Sequence, residues 1–76
     1  MSQAQKILDA LGGSANVVEI EPCITRLRCE VSDASAVDDA GLKAAGAVGV
    51  LRSGTVVQVV VGPNADTLAE DIEDLR

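Results

Sequence analysis

The 76-residue chain carries twelve Asp and Glu against six Lys and Arg, a formal charge of −6, and has no histidine and no aromatic residue. A chain this short buries roughly 60% of the surface it exposes when unfolded, enough for one core and too little for a deep enclosed chamber. Stacking on bases is excluded, and the acidic balance argues against nucleic acid and anionic membranes as partners.

The apolar fraction of 47%, mostly Ala, Val, Leu and Ile, predicts a close-packed aliphatic core in a single domain over residues 1–76. No apolar run is long enough to cross a bilayer, and Met1 leads into a polar, helix-like segment rather than a leader, so the cytoplasm is the expected compartment.

Residues 3–11 place Ile7, Leu8 and Leu11 at helical spacing, with Ser2 to cap the start and Gly12-Gly13 to end the segment. Residues 16–21, NVVEIE, are β-branched and partly alternating; they read as a strand that Pro22 ends by removing a backbone donor. Residues 25–31, TRLRCEV, alternate cleanly. Thr25, Leu27, Cys29 and Val31 fall on one face, and Arg26, Arg28 and Glu30 on the other.

A break at SDAS precedes a short helix over 36–45, with Ser35 as its cap, Gly46 as its stop and Gly41 as a weak point. A hairpin follows, with one strand at 48–52, the turn at Ser53-Gly54 and the other strand at 55–61. Val57, Val59 and Val61 share one face of that second strand, and Val56, Gln58 and Val60 the other. Pro63 opens a last helix with an apolar stripe of Leu68, Ile72 and Leu75, backed by Ala65 and Ala69.

The order helix-strand-strand-helix-strand-strand-helix predicts an α+β fold. Four antiparallel strands carry three helices on one face, a split α/β sandwich whose other face stays partly open. Arg26, Arg28 and Gln58 then lie on the open side.

Both cysteines fall in IEPCITRLRCEV. On one straight strand, six positions would separate them by about 20 Å, so a disulfide would need a tight loop, and two reduced thiols are expected. Zinc is disfavoured with no histidine and two cysteines.

Cys29 is in phase with Leu27 and Val31 and reads as a core residue. Cys23 follows Pro22 in a turn, beside the Thr25 hydroxyl and the forks of Arg26 and Arg28. Thiolate is the reactive form and flanking cations favour it; guanidiniums and turn amides also bind phosphate oxygens. A thiol that takes up a phosphoryl group fits the set, and so does a surface cysteine that lies near two arginines by chance. The Cys-x5-Arg spacing of a tyrosine-phosphatase loop is absent.

The segment EPCITRLRCEVSD resembles the phosphorylation site of the glucose-type IIB domains of bacterial phosphoenolpyruvate-dependent sugar phosphotransferase systems. ALGGSANV, VDDAGLKAAGAVGVL and VVQVVVGPNAD are similar to other parts of that family, so the likeness covers most of the chain.

The resemblance implies a relay with a protein-phosphocysteine–sugar phosphotransferase activity. Cys23 takes phosphate from a phosphohistidine on a IIA partner and gives it to a sugar held by the membrane component IIC. Glucose and N-acetylglucosamine are the leading sugars. The resemblance gives Arg26 and Arg28 catalytic roles and places Ile24, Thr25 and Gln58 at the phosphate. It implies a covalent phosphocysteine with no metal and no cofactor.

It further implies a monomer without direct membrane insertion, at the inner face of the plasma membrane through IIC. The same face of Val56 and Val60 reads as a docking surface, and Arg52 as a solvated turn residue rather than part of the phosphate field. Close starts and stops around the outer helices suggest a free-standing IIB protein, the alternative being a piece excised from a fusion. The competing function is a regulatory or redox-sensing thiol module that is not an enzyme.

Overall fold

The computed structural model describes residues 2–76. Helix α1 covers Gln3–Ala10, and the Ser2 hydroxyl accepts the N–H of Gln5 at 3.1 Å, satisfying one of the free donors of its first turn. Ala4, Ile7, Leu8 and Leu11 face inward. The chain leaves α1 through Gly12 at φ 104°. A Cβ there would lie 2.6 Å from Asn16 Nδ2, so the position excludes a side chain on two counts.

A 3-10 turn, Ser14–Asn16, leads to β1, Val17–Cys23. Asn16 is the buried polar residue of this region. Its amide donates to the carbonyls of Leu11 at 2.7 Å and Asp33 at 3.0 Å and accepts the N–H of Asp33 at 2.9 Å. One side chain thereby joins the end of α1 to the end of β2, Arg26–Val31.

Pro22 does not end β1; the strand runs on to Cys23, with Pro22 opposite Leu27. The place of β1 in the sheet, bonded to β2 alone, explains this. β1 is an edge strand, where a missing N–H costs no ladder bond if it points outward.

The second helix is shorter than the sequence predicts. Residues Ala34–Ala36 form a 3-10 turn, and α2 covers Asp39–Ala44 with Asp38, not Ser35, at its N-cap. Asp33 causes the difference: its carboxylate accepts both the N–H and the hydroxyl of Ser35, which closes a local turn in place of a helical one. Gly46, at φ 111°, ends the segment as expected.

The second hairpin pairs β3, Gly49–Ser53, with β4, Val56–Val60, and turns at Gly54-Thr55, one residue later than Ser53-Gly54. Gly54 supplies the positive φ, 61°, at the first of the two turn positions. Helix α3 covers Ala65–Leu75 from an N-cap at Asn64, burying Ala65, Leu68, Ala69 and Ile72; Leu75 is exposed.

The sheet order is β1-β2-β4-β3, all three strand pairings are antiparallel, and the three helices cover one side of the sheet. The core lies between these layers. Leu27, Cys29, Val57 and Val59 rise from the central strands to meet Ile7, Leu8, Leu42 and Ile72. Each large side chain so buried contributes about 1.5–3 kcal/mol.

Two arginines bind the layers together. Arg52 points to the helix side, where its guanidinium donates to the carbonyls of Ala34 and Val37 and pairs with Asp39 at 2.6 Å; it is a clasp on the α2 region, not a solvated turn residue. Arg76 donates to the carbonyls of Val17 and Val18, beside the register shift of β1, and pairs with Glu73.

Candidate functional site

The first hairpin reverses through two residues. Cys23 pairs with Arg26, and Ile24 and Thr25 form the turn. Ile24 has φ 57° and is the one non-glycine residue with positive φ among those described. A left-handed conformation at a β-branched residue costs of order 1–3 kcal/mol and persists only where its surroundings impose it. Here the carbonyl of Thr25 accepts the N–H groups of Val61 and Gly62, each at 2.9 Å, which fastens the turn to the end of β4. The main-chain N–H groups of Ile24 and Thr25 serve no other described group in the turns and loops.

Strand parity sets out the open side of the sheet in three rows. Cys23, Arg26, Val60 and Gly49 form the first; Glu21, Arg28, Gln58 and Leu51 the second; Glu19, Glu30, Val56 and Ser53 the third. Cys23, Arg26 and Arg28 are exposed, while Gln58, Val56 and Val60 are half-buried.

Arg26 Nη1 donates to Gln58 Oε1 at 3.0 Å, a bond between the first and second rows that holds the guanidinium over the sheet. Arg28 makes no ion pair among the described residues. Charge is therefore graded along the strands, with guanidiniums near the thiol and carboxylates at the far end. The Glu19 carboxyl is pushed above the usual carboxylate range, first by a hydrogen bond with Glu21 and then by the charge of Glu21.

Cys29 faces the other way. It is sealed in the core, its Sγ donates to the Leu27 carbonyl at 3.7 Å, and burial pushes its thiol up to about 12. Both cysteines are free, and the sheet stands between the directions they face.

Of the residues singled out from the sequence, Cys23, Ile24, Arg26, Arg28 and Gln58 come together at one end of the open face. Thr25 belongs to the turn rather than to the inward face of β2, and it is exposed. Leu51 and Gly49 complete the same rows and were not anticipated. The signal for Leu51 was its alternation with Val50, whose side chain packs on the core.

A surface groove of about 420 Å³ lies between α1 and α2, away from the thiol, lined by Lys6, Asp9, Asp38 and Gly41 among others. What the thiol end offers is a surface, accessible to a large partner.

Fold and site together define a class: an α+β domain that presents a thiol and two guanidiniums on an open sheet face. The comparisons with known proteins agree with that class. Residues 5–38 match the family model described as phosphotransferase system, EIIB.

The chain is 57% identical over 74 residues to the PTS system N-acetylglucosamine-specific EIIB component of Streptomyces coelicolor, covering 97% of this chain and 96% of that protein. It also superposes, with a TM-score of 0.80 and 22% identity, on one domain of the PTS system IIabc component from Clostridium difficile, covering 95% of this chain and 76% of that one. The chain belongs to the EIIB family of the phosphotransferase system, whose members are transferase components of sugar transport.

Proposed function

We propose that the protein carries a phosphoryl group on Cys23 during uptake of a sugar, for which N-acetylglucosamine is the first choice given the specificity named for the Streptomyces relative. The carrying observation is the placement of Cys23: exposed, on a turn held by two N–H bonds to Thr25, and directly opposite Arg26.

In the first step the Cys23 sulfur attacks the phosphorus of a phosphohistidine on IIA. An S–P bond forms, the N–P bond breaks, and the thiol proton ends on the imidazole. In the second step a hydroxyl oxygen of a sugar held by IIC attacks the phosphorus, the S–P bond breaks, and the hydroxyl proton returns to sulfur.

Phosphoryl transfer proceeds through a loose transition state, so placement and charge stabilisation outweigh acid–base chemistry. Arg26 and Arg28 supply the charge, the free amides of Ile24 and Thr25 add donors, and Gln58 orients Arg26. The proposed reaction uses no metal and no cofactor. It places the protein on the cytoplasmic side of the membrane that houses IIC.

Incubation with phosphoenolpyruvate, the general phosphotransferase proteins and IIA should add the mass of one phosphoryl group to Cys23 and none to the Cys23→Ser variant. Phosphate found on Cys29 would refute the assignment. Burial of Cys29 on the opposite side of the sheet disfavours a disulfide between the two thiols, and the competing redox-sensing module would instead show as sulfenate on Cys23 under mild peroxide.

A further inference from the structure

The two hairpins of the sheet contain an internal comparison. Cys23-Ile24-Thr25-Arg26 and Ser53-Gly54-Thr55-Val56 are both two-residue turns with a threonine at the second position and a positive φ at the first. The angles are nearly equal, 57° at Ile24 and 61° at Gly54. One turn uses glycine, which adopts this conformation freely; the other uses a β-branched residue, which does not.

Packing within the chain does not explain the choice. The Ile24 side chain is 86% exposed, the most exposed of the large apolar residues among those described, and its strained backbone gains nothing from the core. The explanation has to lie outside the molecule.

We propose that Ile24 is the apolar anchor by which the phosphohistidine-bearing donor protein seats itself on the turn. The inference rests on the phosphoryl-carrier reading of Cys23. Ile24 is the next residue to Cys23, its Cα about 3.8 Å along the chain. Transfer from histidine to cysteine joins two protein side chains with no small molecule between them, and the reacting atoms must close to about 3–3.5 Å. The two protein surfaces therefore meet around the thiol, and an apolar side chain projecting there enters the contact.

In the onward step the sugar itself spans part of the gap. Val60, in the same row as Cys23, and Val48, 79% exposed and bonded through its N–H to the Val60 carbonyl, extend the apolar character of that end of the sheet. The occupant is thus a protein that offers apolar surface beside its phosphohistidine.

The test compares Ile24→Gly and Ile24→Leu with the native protein, using as donor the phosphorylated IIA protein that serves the Streptomyces coelicolor relative. For Ile24→Gly the KM for the donor is expected to rise about tenfold or more, as for loss of an interface anchor. Ile24→Leu should restore most of the affinity. The thermal midpoint of Ile24→Gly should be no lower than that of the native protein, since strain is removed and no packing is lost.

Gly54→Ile supplies the reciprocal control. A Cβ at Gly54 meets nothing within 4 Å, so the midpoint should fall through backbone strain alone, by roughly 4–8 °C or more, with donor KM unchanged. An unchanged donor KM in Ile24→Gly, or a lower midpoint in that variant, would overturn the anchor and leave the carrier reading intact. Failure of the native protein to accept phosphate on Cys23 would overturn both.

Discussion

Cys23 and Cys29 are one residue type six positions apart, and an odd number of strand steps plus a turn gives them opposite surroundings. An alkylating agent at neutral pH should modify Cys23 in the native protein and leave Cys29 untouched until the domain unfolds; mass spectrometry of the labelled peptides checks this. Cys29 also sets an alkaline limit on stability. Its folded thiol titrates near 12, against 9.0 for an unperturbed one.

The native state keeps a proton that the unfolded chain releases, so this contribution is complete below pH about 9 and is lost as pH rises toward about 12, on the order of 4 kcal/mol in all. Urea midpoints measured between pH 8 and 11 in a Cys23→Ser background should fall with pH. Adding Cys29→Val should flatten that fall and leave the ordinary stability nearly unchanged. The different fates of the two thiols were legible in the sequence, Cys29 from its alternation with Leu27 and Val31 and Cys23 from its place beside Pro22 at a chain reversal. Ile24 was legible only as a neighbour of the thiol, because its positive φ arises from the two N–H bonds to the Thr25 carbonyl, a contact with residues 61 and 62 that no local pattern encodes.

At the level of elements, the strands and the outer helices follow from hydrophobic period. The errors lie where side chains bond to nearby backbone. Asp33 turns the start of the second helix into a 3-10 turn, and Gly54-Thr55 moves the hairpin by one residue. Arg52 looked free for a different reason: its partners are carbonyls 15 and 18 residues away, which no local pattern reveals. Asn16→Ala should destabilise by about 2–3 kcal/mol, since it strands the carbonyls of Leu11 and Asp33 and the Asp33 N–H together. Arg52→Ala should cost about 1–2 kcal/mol by releasing the α2 region, with phosphoryl transfer unaffected. Chemical denaturation measures both, and loss of transfer by folded Arg52→Ala would return that residue to the phosphate field.

Over the whole molecule, size decides how partners share the site. The domain measures 26 × 22 × 21 Å and exposes 3994 Å². A transient interface of about 1,200 Å² in total takes roughly 600 Å² from each side, about 15% of this surface. In the proposed relay, two partners that each reach the Cys23 sulfur cannot be seated together on a face this small. Unphosphorylated IIA added in excess should therefore inhibit sugar phosphorylation by occupying the carrier, with more carrier relieving the inhibition, and an absence of inhibition would argue for separate docking faces.

Arg76 has a consequence at this same scale. By occupying the carbonyls of Val17 and Val18 at an irregular point of an outer strand, it removes hydrogen-bond acceptors that a foreign β-segment would use to extend the sheet. At this stretch of β1 a visitor meets side-chain relief in place of open backbone, which counters fibrous self-association through that end of the strand.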